Sequence, residues 1–156
     1  LRESLDLGLE NGVESALYLA DELELTERLK IYAGLRFSTF FALGPAEVLR
    51  YAPGMSRVDE NVIDTVNYGK GELSKAYNGL EPRMNMRYLL SDNSSLKLSY
   101  NRAYQYLFMM SNTIAMAPTD QWKLCDYHIE PQYLDQVSAG YYHDCVSSGM
   151  SASVEL

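Results

Sequence analysis

The sequence predicts an all-β fold: an antiparallel up-and-down meander of about six strands, forming part of a transmembrane β-barrel, with two long outer loops. Two observations carry this reading. Leu96 to Tyr106 (Leu-Lys-Leu-Ser-Tyr-Asn-Arg-Ala-Tyr-Gln-Tyr) is apolar or aromatic at nearly every second place, the period of a strand with one greasy and one polar face. Such strands recur in pairs joined by short turns, near residues 27, 93 and 147, while long stretches join the pairs at the other end. Short turns at one end and long loops at the other are the pattern of outer-membrane barrels, whose greasy face meets lipid.

The first hairpin occupies 13–43. Val13 to Leu25 puts Leu17, Leu19, Leu23 and Leu25 on one face and Tyr18, Glu22 and Glu24 on the other, with Asp21 breaking the apolar face. Propensity favours a helix over Glu14 to Leu35, but leucines at 17, 19, 23, 25 and 29 would wrap around a helix instead of lining one side. Period therefore decides for strand. After the Thr26-Glu27-Arg28 reversal, Leu29 to Leu43 alternates most cleanly. Leu29, Ile31, Ala33, Leu35, Phe37, Phe41 and Leu43 stand against Lys30, Tyr32, Gly34, Arg36 and Ser38. Its length exceeds the usual globular strand of about five or six residues and suits a tilted barrel strand that continues past the bilayer. Leu29, Ile31, Ala33, Leu35 and Phe37 should all point away from any lumen.

Residues 44–80 hold Pro45, Pro53, Gly54, Gly69, Gly71 and Gly79 without a sustained period, and read as a long loop. Arg57 to Val66 has room for a short helix or strand of its own. The second hairpin, 81–110, pairs Pro82–Leu90 (Met84, Met86, Tyr88 and Leu90 opposite Arg83, Asn85 and Arg87) with Leu96–Met110. Arg102 shares the parity of Leu96, Leu98 and Tyr100, and an arginine facing lipid is costly. Either a bulge shifts the register there or Arg102 sits near a headgroup; the bulge is the favoured expectation. Residues 111–132, with Pro118, Trp122 and Pro131, form the second loop. The third hairpin, 133–156, sets Val137, Ala139 and Tyr141 opposite Gln136, Ser138, Gly140 and Tyr142. It turns at Val146-Ser147-Ser148-Gly149 and returns with Met150, Ala152, Val154 and Leu156 on one face.

Composition narrows the function. The net charge of −8 over 156 residues argues against nucleic acid, whose phosphates need Lys/Arg surfaces. Thirteen tyrosines suit carbohydrate contact, protein interfaces and membrane girdles alike. No apolar run is long enough for a transmembrane helix. The chain starts at Leu1 and ends at Val154-Glu155-Leu156 in mid-alternation, so a fragment of something longer is expected. The strand reading sets Cys125 and Cys145 some 40 Å apart, far beyond the ~7 Å that a disulfide spans, so two free thiols are expected.

Cys125-Asp126-Tyr127-His128 and His143-Asp144-Cys145 carry zinc-ligand residue types. Each offers only one Cys and one His at opposite ends of a strand, and polar loop and strand-end residues explain them better. No metal or other cofactor is expected. Glu22 and Glu24 share a face, which a hydrolase would use for acid/base work; a solvated strand face accounts for them, and no enzyme is expected. Arg36, Arg83, Arg87 and Lys97 fall on polar faces, where they would steer an anionic solute or pair with neighbouring carboxylates. Trp122, Tyr127 and Tyr133 lie in or beside the second loop, placed either to stack on a ligand or to anchor at the membrane interface. Arg83, Arg87, Trp122, Tyr127 and Tyr133 are the candidate ligand-binding residues.

Several local sequences are similar to one family. Glu14-Ser15-Ala16-Leu17-Tyr18-Leu19-Ala20-Asp21-Glu22 followed by Ile31-Tyr32-Ala33-Gly34-Leu35-Arg36 resembles the barrel of TonB-dependent outer-membrane receptors of the Bacteroidetes type. So do Glu81-Pro82-Arg83 leading to Leu96–Arg102, Pro118-Thr119-Asp120-Gln121-Trp122, Glu130-Pro131-Gln132 and Ala139-Gly140-Tyr141, in the family's order over most of 13–156. The resemblance implies a barrel of about 22 strands around an N-terminal plug, importing a scarce nutrient (a glycan, siderophore or similar) with energy from TonB. It implies a Gram-negative outer membrane, lipid around the barrel, TonB contact through a plug not present in this chain, and a surface lipoprotein as a further partner. Residues 1–156 are then a partial barrel domain, and the family offers no catalytic residues to carry over. The alternative is a soluble β-sheet domain for ligand binding or adhesion, whose apolar faces would converge on one core and which would need no detergent.

Overall fold

The structure, a computed structural model, describes residues 9–110, 121–145 and 149–156. Among these residues it has ten strands: β1 (Asn11–Thr26), β2 (Leu29–Leu43), β3 (Ala46–Tyr51), β4 (Val62–Tyr68), β5 (Leu73–Ser91), β6 (Ser94–Gln105), β7 (Leu107–Met110), β8 (Gln121–Leu124), β9 (Gln132–Cys145) and β10 (Met150–Glu155). No α-helix occurs among them. Six strands form one sheet in the order β1-β2-β5-β6-β9-β10, and β3–β4 and β7–β8 make two small sheets. With the small hairpins set aside, neighbours in the large sheet are neighbours in sequence. That is the expected meander, open at β1 and β10.

The chain divides into two compact units. The first, the sheet unit, comprises Ala16–Ser38, Asn78–Tyr104 and Gln132–Leu156. Thr26 closes its first turn, where the side-chain oxygen accepts the backbone N–H groups of Arg28 at 3.2 Å and Leu29 at 3.0 Å. β5 and β6 pair Met84 with Tyr100, Met86 with Leu98 and Tyr88 with Leu96, so the apolar parities coincide on one face. β9 and β10 do the same with Tyr141–Val154. This face is open: Leu17, Leu19, Val137 and Val154 are 79%, 80%, 74% and 67% exposed, and Leu35 and Phe37 stand out with them. Burial instead occurs on the polar face. Ser38 and Glu81 are buried there, with the Glu81 carboxylate 3.1 Å from the Arg36 guanidinium. Gly79 admits this close packing, since a Cβ would lie 2.6 Å from Tyr104 Cδ2 and 2.9 Å from Ser38 Oγ.

Arg102 is not carried to the polar face: it and Tyr100 hold the same carboxylate, that of Asp135. The β5–β6 register runs unbroken from Arg83–Asn101 to Leu89–Ser95, with its irregularity next to the turn, between Leu89 and Ser91. β6 then continues through Arg102 to Gln105. Arg102 stays on the apolar face, and the charge is neutralised by a partner on that face. Its Nε and Nη2 donate to Asp135 Oδ1 and Oδ2 at 2.6 and 2.7 Å. The Tyr100 hydroxyl donates to the same Oδ1 at 2.8 Å, and the Tyr133 ring lies 5.4 Å away.

The second, the hairpin unit, holds the remaining described residues. Its core is Phe40, Ala42, Val48, Tyr106 and Cys125. Tyr106, expected at the end of an alternating strand running to Met110, leaves the ladder. Its ring stacks on Phe40 (centroids 5.2 Å apart, planes at 9°), and β7 starts afresh at Leu107. The 44–80 segment is less loop-like than expected: β3 pairs with β4, the turn Asp59–Asn61 is 3₁₀-helical, and β5 begins at Leu73. Gly44 N donates to Glu72 O and Gly71 N to Gly44 O, and Gly71 has φ +77°, open to glycine without strain. In the second loop β8 pairs with β7. Pro118-Thr119-Asp120 and the Val146-Ser147-Ser148 turn lie outside the described residues.

Gly79→Ala should destabilise the protein by roughly 1–3 kcal/mol, the usual cost of overpacking, read from urea unfolding in detergent. Asp135→Asn should lower stability by leaving Arg102 uncompensated on the apolar face. Arg102→Leu combined with Asp135→Leu should recover most of that loss. Equal losses in the single and double variants would mean that the pair does not carry the effect.

Candidate functional site

The polar face of the sheet unit forms a groove of about 750 Å³, with Glu22, Tyr32, Arg87, Lys97, Tyr142 and Glu155 on its walls. Alternation puts them there, because each occupies the parity opposite the exposed leucines and methionines. Lys30 pairs with Glu24 at one side. Ser99 and Ser138 hydroxyls meet at 2.5 Å across β6 and β9. Lys97 Nζ lies 3.9 Å from the Tyr142 ring centre, and the Tyr142 hydroxyl donates to Glu155 Oε1 at 2.5 Å. Arg87 stands directly opposite Lys97 in the β5–β6 register. Arg83, opposite Asn101, lines a smaller hollow of about 270 Å³ with Arg36, Tyr18 and Tyr32.

A different cluster forms in the hairpin unit. His128 Nε2 donates to the Leu49 carbonyl at 2.8 Å; its ring meets Tyr127 edge-on at 5.1 Å and Tyr51 at 5.6 Å. Lys75 Nζ lies 5.2 Å from the Tyr127 ring centre. These rings, with Arg50, Arg57 and Ile63, line a hollow of about 400 Å³. Asp126 fixes the segment beneath them. Its Oδ1 accepts the N–H groups of His128 and Ile129, each at 2.8 Å, and its Oδ2 meets Lys123 Nζ at 2.8 Å. Partial burial works to raise the Asp126 carboxyl, but the Lys123 ammonium and the two backbone donors outweigh it and hold the group below its ordinary value. Burial, with some help from Asp126, pushes the Cys125 thiol up to about 11, which keeps it protonated and unreactive at neutral pH.

The five candidate ligand residues are divided between the two units. Arg83 and Arg87 lie on the polar face of the sheet unit, and Tyr127 lines the hollow of the hairpin unit. Trp122, opposite Met109 on β8, is 67% exposed and lines neither hollow. Tyr133 is on the apolar face, its ring 5.4 Å from the Arg102 guanidinium, away from Arg83 and Arg87. Lys97 and Tyr142 complete the groove, and Tyr51 and His128 complete the hollow. Parity already put Lys97 and Tyr142 on the polar face, whereas no local pattern pairs Tyr51 with His128. Cys125 and Cys145 are not joined by a disulfide. Among the described residues no three His, Cys, Asp or Glu side chains converge as metal ligands.

A sheet that exposes leucine on one face and gathers its charge on the other is the wall of a transmembrane β-barrel. The model of the TonB dependent receptor-like, beta-barrel family matches residues 9–150, and the chain belongs to that family of outer-membrane receptors. No curated protein and no solved structure matches it.

Because the Asp126 carboxyl is held below its unfolded value, its contribution is present above that value and is lost as pH falls through the folded one. Amide exchange at His128 and Ile129 should therefore accelerate on acidification below about pH 4. Asp126→Asn should cost about 1 kcal/mol at neutral pH and remove that acid-dependent step.

Proposed function

We propose that this chain forms part of the wall of a TonB-dependent transporter in the outer membrane of a Gram-negative bacterium, one that binds a nutrient (a glycan, siderophore or similar) and imports it. The supporting observation is the two-faced sheet unit, whose open apolar face suits outer-membrane lipid while the opposite face supplies a charged, hydroxyl-rich groove. In this reading Arg83 and Arg87 are solute contacts of the sheet unit, and Tyr127 and Trp122 are separate solute contacts of the hairpin unit. Tyr133 is exposed beside Arg102 on the apolar face, so membrane anchoring suits it better than ligand stacking. Energy arrives from TonB through a plug outside this chain, and a surface lipoprotein is a further partner. The soluble-domain alternative is disfavoured by the leucines that the sheet unit leaves open.

Two measurements test this. The receptor should fractionate with outer membranes, leave them only in detergent, and support nutrient uptake that stops when TonB is deleted. Detergent-free monodisperse protein, or uptake indifferent to TonB, overturns the reading. With a transported nutrient in hand, Tyr127→Ala or Trp122→Ala should weaken binding about tenfold, within the 1–3 kcal/mol scale of a stacked ring, while heat-modifiable migration of the barrel stays unchanged.

A further inference from the structure

On the polar face of the sheet unit most charges are matched. Lys30 is held by Glu24, and Arg36 by the buried Glu81. Arg87 and Lys97 are the exception. The register makes them direct cross-strand partners, where side chains lie about 5 Å apart at Cβ and like charges destabilise the pair. Neither makes an ion pair among the described residues. Glu22 and Glu155 line the same groove, but Glu155 takes the Tyr142 hydroxyl and neither carboxylate reaches the two cations. Arg83, four residues along β5, adds a third cation without an ion-pair partner. Lys97 rests on the Tyr142 ring, yet in a chain of net charge −8 no carboxylate among the described residues neutralises the pair.

We propose that Arg87 and Lys97, extended by Arg83, form an anion site on this face, and that its ligand is a small solute bearing at least two carboxylate, sulfate or phosphate groups. The guanidinium offers a planar fork to one oxyanion and the ammonium a point charge to the next. Asn85, Ser99, Gln136 and Ser138, on the same groove, supply neutral hydrogen-bonding groups for the rest of a hydrophilic solute. The identity of that solute as transported cargo rests on the transport reading above; the site itself does not.

The test uses the receptor purified in detergent, titrated by calorimetry with citrate, a tricarboxylate probe, and with maltotriose, a neutral one, at fixed ionic strength. Citrate should bind, more weakly as salt rises, and Arg87→Gln should weaken it at least tenfold while Arg87→Lys retains most of the affinity. Anion-free Arg87→Gln should melt no lower than the wild type, since it relieves a repulsion; Lys97→Gln provides the same readouts if the first variant does not assemble. Absence of citrate binding, or equal binding by wild type and both Gln variants, overturns the proposal and is the result expected if the cations instead face an acidic polypeptide. Citrate binding with no TonB-dependent uptake sinks the transport reading alone. Uptake of a neutral nutrient with no citrate binding sinks the anion site alone.

Discussion

One constraint organises the sheet unit: a strand crossing hydrocarbon must satisfy every backbone N–H and C=O through its neighbours and must present an apolar row to lipid. The alternation of Leu29 to Phe37, Met84 to Leu90 and Leu96 to Tyr100 follows from it, because each apolar side chain on one face commits the next residue to the other. Apart from the Arg102–Asp135 pair, the charge is thereby gathered on the polar face, which is why Glu22, Glu24, Lys30, Arg36, Glu81, Arg87 and Lys97 share it. In a soluble domain the exposed leucines would be the interior and these charges the surface. Here the tightest packing, Ser38 and Gly79 against Tyr104 beside the Arg36–Glu81 pair, is on the charged side.

The polar face consequently has to balance its own charge locally. Lys30–Glu24 links β1 to β2 and Arg36–Glu81 links β2 to β5, so on this face both of these strand contacts carry a cross-strand ion pair as well as a backbone ladder. Such a pair contributes little when exposed and more to register than to stability when half-buried, since a one-residue slip of either strand would put the partners on opposite faces. Arg87 opposite Lys97 is the place where this balance is left open.

Much of this was legible in the residues. Leu29–Leu43 reads as a strand with the bounds that the structure gives it, since the alternation is unbroken and Thr26 marks the turn before it. The faces of Arg83, Arg87, Lys97 and Tyr133 follow from parity alone. What period cannot supply is contact between distant segments. β3 and β4 are short, lie between Pro45, Pro53 and Gly69, and owe their pairing to a core in which Val48 is buried. Tyr106 looks like one more rung of β6 until Phe40, 66 positions earlier by number, captures its ring. The hollow around His128 depends on the Leu49 carbonyl and Tyr51, which no local pattern in 121–132 announces.

Arg102 shows how a local violation becomes acceptable once its neighbours are known. Parity put it on the lipid side, where it shares Asp135 with Tyr100, so relief comes from Asp135 on β9. Depth explains why an ion pair is tolerable at this position. From the Asp92-Asn93 turn to Arg102 is roughly nine residues, about 30 Å of strand. At the ~40° tilt of membrane barrels that is about 23 Å of bilayer, close to the ~25 Å apolar band. Arg102 therefore falls at the far rim of the band, where Tyr100 and Tyr133 flank it with the amphipathic rings that mark an interface. The charge that seemed to break the strand's pattern instead marks where the apolar wall stops.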